Sequence, residues 1–355
     1  MRIEISLINI LMIILTTFIF SIVFVPICKK IAFHIGAIDY PNKRRLNKVP
    51  MPTIGGIGVF LSFLLGYMIF GRASIEMMSI IIASFIILIT GLIDDIKPIS
   101  AKYQIIGQSL AIFIVIFYGN ITIDRFTILG CNFIFQTPFN YLITYLFMLG
   151  IINAIDLSDG MDGLSSGISI IYFLTIIIIA SLLGLFGNID TLIAILMIGS
   201  LLGFLVYNFP PAKIYIGDSG SNFVGLMVSV SALYGFKLTT FTSLLIPLAI
   251  LGSPIIDVFF SILRRSLKKE NPFTTPDKEH LHHQLLKMKF STKTSLLIIY
   301  LINLCFSAVS ILYSLGKIDY ALILYFLLMI FFFIIVLKTN IVFPKRGEKH
   351  VNKKR

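Results

Sequence analysis

Six aspartates stand at the ends of long apolar segments in this 355-residue chain, where carboxylates are unexpected. Two are adjacent, three are spaced at i, i+3 and i+6, and one precedes an apolar segment alone. They are Asp94, Asp95, Asp156, Asp159, Asp162 and Asp218. A charged side chain is costly near a bilayer and by default marks a functional site. We therefore expect the six to belong to one site.

The pair Asp94 and Asp95 ends an apolar helix, where the helix dipole disfavours a carboxylate by about 0.3–1 kcal/mol. Repulsion between the two charges adds to this cost. A positive group must compensate, either a basic side chain such as Lys97 or Lys102, or a divalent cation. Mg²⁺ fits best, because it takes one or two carboxylates together with phosphate oxygens and water.

Two segments combine aspartates with glycines. If segment 153–163 were helical throughout, its three aspartates would share one face, but two glycines interrupt the pattern and let backbone amides turn towards a ligand. Segment 216–221, Ile-Gly-Asp-Ser-Gly-Ser, resembles a phosphate-accepting turn before a helix N-terminus. The alternative is that Asp162 and Asp218 are ordinary helix N-caps.

Three of the five histidines form a His-x-His-His pattern, which two adjacent arginines precede in the polar segment 264–293. Zinc binding is disfavoured because no cysteine is near, and a loop facing lipid headgroups remains an alternative. We interpret the segment as a phosphate-binding site in which the arginine guanidinium groups donate paired hydrogen bonds to phosphate oxygens. Its residues are Arg264, Arg265, His280, His282 and His283. Asp257, seven residues before Arg264, is expected to pair with that arginine.

The segment 39–56 is basic and rich in proline. It is either an ordinary positive membrane anchor or a cationic rim for a phosphorylated substrate. Carboxylates for a metal, cations for phosphates and a membrane location together indicate chemistry on a phosphorylated lipid. Phosphoryl transfer depends mainly on charge neutralisation and positioning.

The amino-acid composition indicates what kind of protein positions these residues. The chain is 57% hydrophobic and 13% charged, with a mean hydropathy of +0.97. These values exclude a soluble enzyme, a disulfide scaffold and a disordered protein. The net charge of +12 is attributed to membrane-facing loops, and no nucleic acid partner is expected. The three cysteines match no disulfide or zinc pattern.

Apolar runs of membrane-spanning length predict an all-α polytopic membrane protein with about eleven transmembrane helices. The runs lie at 5–27, 54–71, 77–93, 103–120, 139–155, 164–187, 191–209, 221–237, 240–262, 294–315 and 320–337. One transmembrane catalytic domain is expected over 1–337 and a basic tail over 338–355. The active site is assigned to the connections 28–53, 94–102, 156–163, 210–220 and 264–293.

The distribution of lysine and arginine predicts the orientation. Of the 29 basic residues, 24 fall in connections after odd-numbered spans or in the tail. The other five are Arg2, Arg72, Arg125, Lys237 and Lys317. Because cytoplasmic loops carry the excess of positive charge, the N-terminus is expected outside and the C-terminus in the cytoplasm. All six aspartates then lie on the cytoplasmic side.

An ordered set of motifs resembles the polyprenyl-phosphate N-acetylhexosamine-1-phosphate transferases. The motifs are Pro52-Thr-Ile-Gly-Gly56, Gly91-Leu-Ile-Asp-Asp95 with Lys102 and Gln108, Asn153 to Gly163, Asn208-Phe-Pro-Pro-Ala-Lys213, Gly217-Asp-Ser-Gly-Ser221, Pro254-Ile-Ile-Asp257, Arg264-Arg265 and His280-Leu-His-His283. The His-x-His-His form resembles the branch that uses N-acetylglucosamine 1-phosphate. The resemblance implies that undecaprenyl phosphate attacks the β-phosphate of a UDP-N-acetylhexosamine, releasing UMP and starting O-antigen, enterobacterial common antigen or teichoic acid synthesis.

Residue roles follow from the same resemblance. It implies that Asp94, Asp95, Asp218 and His282 are catalytic, with Asp218 the main Mg²⁺ ligand beside Asp94 and Asp95, and with Mn²⁺ as a substitute. Substrate contacts are assigned to a larger set: Lys48, Asn153, Asp159, Asp162, Lys213, Arg265, His280 and His283. Two positions depart from the family pattern. Asp156 stands where Asn is common, and Asn47 replaces a frequent His.

The expected location is the bacterial cytoplasmic membrane, with anionic lipid and a second copy of the chain as further partners. The main alternative is a phospho-N-acetylmuramoyl-pentapeptide transferase of peptidoglycan synthesis. An intramembrane prenyltransferase is disfavoured because no second carboxylate follows Asp95 in residues 96–99. A cation-coupled transporter would place charges near the bilayer midplane, whereas only Asp257 lies well within a predicted span.

Overall fold

The computed structural model describes residues 7–41, 49–128, 131–238, 252–267 and 280–338. Most of these residues are helical, as the apolar runs predict. The helices are α1 (Leu7–Ile35), α2 (Gly55–Phe70), α3 (Ile75–Ile96), α4 (Ala101–Phe113), α5 (Phe139–Leu157), α6 (Leu164–Leu182), α7 (Ile189–Asn208), α8 (Gly217–Leu238), α9 (Gly252–Leu267), α10 (Leu281–Lys287), α11 (Thr292–Ser314) and α12 (Ile318–Lys338). A π-helical turn, Ile114–Tyr118, extends α4.

Two short antiparallel strand pairs connect the helices. β1 (Ile38–Asp39) pairs with β2 (Met51–Pro52) between α1 and α2. β3 (Arg125–Ile128) pairs with β4 (Cys131–Ile134) between α4 and α5, at the opposite end of these helices from the aspartates.

Seven helices in the described part of the chain are long and apolar enough to cross a membrane. They are α1, α3, α4 with its π-helical extension, α5, α6, α7 and α11. This establishes an all-α polytopic membrane protein. α2 and the apolar part of α12 are shorter, and the first half of the predicted span 240–262 lies outside the described residues. The count of eleven spans and the orientation of the termini stay predictions.

The helices differ greatly in burial, which separates the centre of the bundle from its periphery. The most apolar stretches of α6 and α7 are 78% buried, whereas that of α1 is 22% buried. Residues of α8 such as Phe223 and Met227 are fully buried in the same core. In a membrane the exposed apolar side chains of α1 would face lipid. α8, which carries Asp218, therefore belongs to the buried centre, and α3 and α5, which carry three more of the aspartates, pack against it.

A second apolar cluster fixes the short helix α10. Leu281 and Leu285 of this helix pack with Met161, Leu296 and Phe306, which come from the loop before α6 and from α11. A helix of seven residues is not stable alone, because nucleation is costly. Tertiary contacts must therefore hold α10, and with it the histidine motif.

Candidate active site

Asp95 at the end of α3 caps the N-terminus of α8. Its Oδ1 accepts the backbone N–H of Asp218 at 3.0 Å. Its Oδ2 accepts the N–H of Ser219 at 3.2 Å and the Ser219 hydroxyl at 2.8 Å. A carboxylate at this end of a helix is stabilised by the unpaired N–H groups and the helix dipole. The compensating positive group for Asp95 is thus the start of α8, and not Lys97 or Lys102.

This geometry revises one expectation. The turn at residues 216–221 is not an open phosphate site, because the Asp95 carboxylate occupies the first N–H groups of α8. The same contacts give Asp95 a structural role in holding the start of α8, and its role as a metal ligand stays a prediction.

The Pro52–Gly56 motif holds the chain just before α8. Gly55 and Gly56 donate their N–H groups to the carbonyls of Tyr215 and Ile216, at 3.0 and 2.8 Å. Gly217 has a φ of +73°, which favours glycine, and a Cβ atom there would lie 1.7 Å from the Thr53 carbonyl. The motif therefore positions Asp218 through backbone contacts, whereas the basic residues of segment 39–56 lie in 42–48, outside the described residues.

Asp94 and Asp218 share one hydrogen-bond donor. Nε2 of Gln104, on α4, donates to Oδ2 of Asp94 at 3.0 Å and to Oδ2 of Asp218 at 3.1 Å. The other oxygen of Asp94 accepts the N–H of Ile99 at 2.6 Å. Carboxylates from α3 and α8 thus converge on a single point that a neutral amide occupies.

A chain of amides extends this cluster to α5. Gln108 Nε2 donates to Oδ1 of Asn222 at 2.6 Å, and Asn153 Nδ2 donates to Oε1 of Gln108 at 3.1 Å. Asn222 in turn donates to Oδ1 of Asp156 at 3.2 Å, and the hydroxyl of Ser221 donates to the same atom. The four helices α3, α4, α5 and α8 are therefore joined by polar contacts beside Asp94 and Asp218.

The cluster carries a strong excess of negative charge. Asp218 faces the carboxyl groups of Asp156, Asp94 and Asp95. Among the residues that the structure describes, no lysine or arginine forms a salt bridge with any of these four. Closely spaced buried carboxylates are stabilised either by a compensating cation or by a shared proton. In the same described ranges, no group of three acidic, histidine or cysteine side chains could by itself hold a metal ion.

The loop after α5 brings the remaining two aspartates to the same end of the bundle. α5 ends at Leu157, so Asp156, Asp159 and Asp162 do not share one helix face. Asp159 accepts the hydroxyl of Ser165 at 2.6 Å. Burial raises the pKa of Asp159 well above its usual value, and the neighbouring carboxylates add to the rise. The aspartates do converge, as their positions in the sequence predict.

Asp162 joins two loops of the site. Its Oδ2 accepts the N–H of Ala212 at 3.0 Å, and burial raises its pKa. It does not cap α6, whose N-cap is Gly163. Asn208, at the end of α7, strengthens the same connection by accepting the N–H of Gly163 and donating to the carbonyl of Ile214, both at 2.9 Å.

The histidines lie against the aspartate loop. His282 is 2% exposed, and its Nε2 has no hydrogen-bond partner. A Cβ atom on Gly160 would lie only 2.4 Å from that nitrogen. The His282 ring is 4.2 Å from that of His283 and parallel to that of His280 at 5.8 Å. Burial holds the pKa of His282 well below its usual value, so this ring is neutral at physiological pH.

Asp257 contacts the start of α10, which the sequence interpretation did not predict. Its Oδ2 lies 2.9 Å from Nδ1 of His280, and its Oδ1 accepts the N–H of Leu281 at 2.9 Å. The Arg264 side chain lies outside the described part of the structure, so its predicted ion pair with Asp257 stays a prediction.

The structure does not place the remaining predicted basic residues in the aspartate cluster. Lys213 is exposed in the loop before α8, and Arg265 is half-buried on α9. Lys48 and Asn47 lie outside the described residues. The sequence interpretation missed Gln104 and Asn222. Both are amides one helical turn from another polar residue (Gln108 and Asp218, respectively) in helices that are otherwise apolar, a spacing that could have indicated them.

Comparison with known proteins adds independent information. Residues 77–236 match the model of Glycosyl transferase family 4. A probable undecaprenyl-phosphate N-acetylglucosaminyl 1-phosphate transferase of Bacillus subtilis (strain 168) is 38% identical over 328 residues, which cover 91% of this chain and 90% of that protein. The decaprenyl-phosphate N-acetylglucosaminephosphotransferase of Mycobacterium tuberculosis (strain H37Rv) is 29% identical over 304 residues, covering 77% and 74% of the two chains. An undecaprenyl-phosphate alpha-N-acetylglucosaminyl 1-phosphate transferase of Escherichia coli O157:H7 is 26% identical over 325 residues, covering 88% and 87%.

Proposed function

The chain belongs to glycosyl transferase family 4, and from this premise we propose that it transfers N-acetylglucosamine 1-phosphate from a UDP-sugar to undecaprenyl phosphate. The names of the relatives support both the sugar and the polyprenyl phosphate acceptor. UMP would be the second product, because the donor is cleaved between its two phosphates. The lipid-linked sugar would start synthesis of a cell-envelope polysaccharide.

The observation that carries this proposal is the convergence of Asp94 and Asp218 on Gln104. Both substrates carry phosphates, and phosphoryl transfer is catalysed mainly by positioning and charge neutralisation. A cluster of carboxylates alone would repel phosphates. The site therefore makes chemical sense only with a cation between the carboxylates and the substrates.

We propose that Mg²⁺ is this cation, held by Asp94 and Asp218. The fit rests on the donor set: two carboxylate oxygens already converge on one partially positive group, and no described basic side chain neutralises them. Two protein carboxylates with substrate phosphates and water are the usual ligands of Mg²⁺. When bound, the ion would supply charge neutralisation on the phosphates. Mn²⁺ offers the same oxygen chemistry.

The protein residues then have distinct roles. Asp95 fixes the start of α8 and with it the position of Asp218. Asp94 is oriented by the N–H of Ile99, ready to position the acceptor phosphate. His282 contacts the substrate as a neutral hydrogen-bonding group rather than as a cation, because burial lowers its pKa. Asn153, Asp159 and Asp162 line the neighbouring region, where the nucleotide-sugar is proposed to bind.

The location follows from the charge distribution. The predicted topology assigns 24 of the 29 basic residues to one side, so the site is proposed to face the cytoplasm at the bacterial cytoplasmic membrane. Nucleotide sugars are polar and would reach the site from that side. The long-chain acceptor would enter from the bilayer.

One assay tests the proposal. The purified protein is mixed with undecaprenyl phosphate, Mg²⁺ and one of three donors: UDP-N-acetylglucosamine, UDP-N-acetylgalactosamine or UDP-N-acetylmuramoyl-pentapeptide. We expect UMP and lipid-linked sugar from the first donor. UMP from the pentapeptide donor alone would assign the chain to peptidoglycan synthesis, and the absence of UMP with every donor would overturn the proposal.

A further inference from the structure

Asp257, on α9, is a firmly hydrogen-bonded carboxylate to which the proposed reaction assigns no role. Its side chain is 16% exposed, and that of its partner His280 is 8% exposed. The contact joins α9 to the start of α10 across a stretch of chain, 268–279, that lies outside the described residues. Both carboxylate oxygens are used, and both partners belong to the beginning of α10.

The first of these bonds sets the protonation pattern of His280. An ionised carboxylate can only accept hydrogen bonds, so the Nδ1 atom 2.9 Å away must carry a hydrogen. In the neutral ring, Nε2 is then the unprotonated nitrogen and can accept a hydrogen bond. In general, a carboxylate that accepts a hydrogen bond from one ring nitrogen of a histidine fixes both the tautomer and the orientation of the ring.

The second bond holds α10 itself. The His280 side chain does not cap this helix, so the N–H of Leu281 depends on Asp257. Leu281 and Leu285 anchor the other side in the apolar cluster. His282 follows directly and has its ring against Gly160. A shift at the start of α10 would therefore displace both His280 and His282 relative to the aspartate loop.

We propose that Asp257 is a positioning residue of the reaction, which acts through His280 by fixing its Nδ1–H tautomer and the start of α10. This inference rests on the proposed function, because it assumes that the histidine motif contacts the substrates. It predicts a specific dependence on His280: a change that removes the acceptor for Nδ1 of His280 but keeps one for the Leu281 N–H should affect turnover only while His280 is present.

Two measurements test this dependence. The tautomer is read from nitrogen NMR of the full-length wild-type protein labelled with ¹⁵N-histidine, with His280→Gln used to identify the signals. We expect His280 to carry its hydrogen on Nδ1. A hydrogen on Nε2 would overturn the inference, and this result does not depend on whether the protein transfers any sugar.

The second measurement is a double-mutant cycle on turnover. Asp257→Asn keeps an oxygen for the Leu281 N–H but can present an amide hydrogen to Nδ1 of His280. We expect kcat to fall about 10–100-fold with a much smaller change in KM for the UDP-sugar. In a His280→Gln background the same change should have little further effect. Asp319→Asn, an exposed charge removal on α12, is the matched control. Independent effects of the two substitutions, or unchanged kcat in Asp257→Asn, would contradict the inference.

Discussion

Asp94 on α3 and Asp218 on α8 accept hydrogen bonds from the same atom, Nε2 of Gln104 on α4. Three helices that are separate in sequence thus meet at one polar point. A neutral amide can only partly offset two carboxylates, which is why a cation is expected there during the reaction. The contacts around this point lead to predictions that separate binding of the metal from support of the fold.

Removing the shared donor should make the protein depend more on Mg²⁺ for stability. In Gln104→Leu the two carboxylates lose their common partner, at a cost of about 1–3 kcal/mol for unsatisfied buried groups. We expect a lower thermal midpoint in detergent and a larger rise on adding Mg²⁺ than in the wild type. The exposed Gln136 allows the matched control Gln136→Leu. An equal response to Mg²⁺ in all three proteins would argue against a metal between Asp94 and Asp218.

Asp95 should behave as a structural carboxylate. Asp95→Ala removes the cap of α8, and caps contribute about 0.5–2 kcal/mol. We expect a lowered thermal midpoint together with lost activity, and excess Mg²⁺ should restore neither. Recovery of activity at high Mg²⁺ would show instead that Asp95 is a metal ligand.

The position of the His282 ring should require a residue without a side chain at position 160. In Gly160→Ala the new methyl group would lie about 2.4 Å from Nε2 of that ring, which forces the histidine or the loop to move. We expect a strong loss of turnover. Gly150, on α5, has no atom within 4 Å of an added Cβ, so Gly150→Ala should retain activity. Similar rates for the two variants would mean that the position of His282 is not important.

The burial of His282 predicts an effect of pH on stability. Its pKa in the folded protein lies well below the value of about 6.5 that an unfolded histidine has. As the pH falls below that value, the unfolded state binds a proton that the folded state does not, so stability decreases. In His282→Gln the thermal midpoint should therefore fall less between about pH 7 and pH 5. A drop as steep as in the wild type would contradict the assigned burial.

The class of fold and the end of the bundle that carries the site could be predicted from sequence. Composition required apolar helices, and the positions of Asp94, Asp156 and Asp218 at helix ends required that they meet at one face. The role of Asp95 could not be predicted, because it depends on the contact between α3 and α8. Local spacing indicated Arg264 as a partner of Asp257, but it could not indicate the contact between Asp257 and His280, which lies farther along the chain.

The amides were harder to recognise than the charges. Gln104 and Asn222 belong to no short catalytic pattern, and their importance follows only from their contacts with Asp94, Asp218 and Asp156. The apolar run predicted at 54–71 corresponds to α2, Gly55–Phe70, within one residue at each end.

The most direct test of the site is the rate of UMP release by Asp218→Asn, measured with undecaprenyl phosphate and UDP-N-acetylglucosamine over a range of Mg²⁺ concentrations. The substitution keeps the size of the side chain and relieves repulsion among the carboxylates, so the protein should remain folded, with an unchanged or higher thermal midpoint. We predict that Mg²⁺-dependent UMP release is abolished. Full activity in this variant would contradict the assignment of Asp218, and with it the proposed reaction centre.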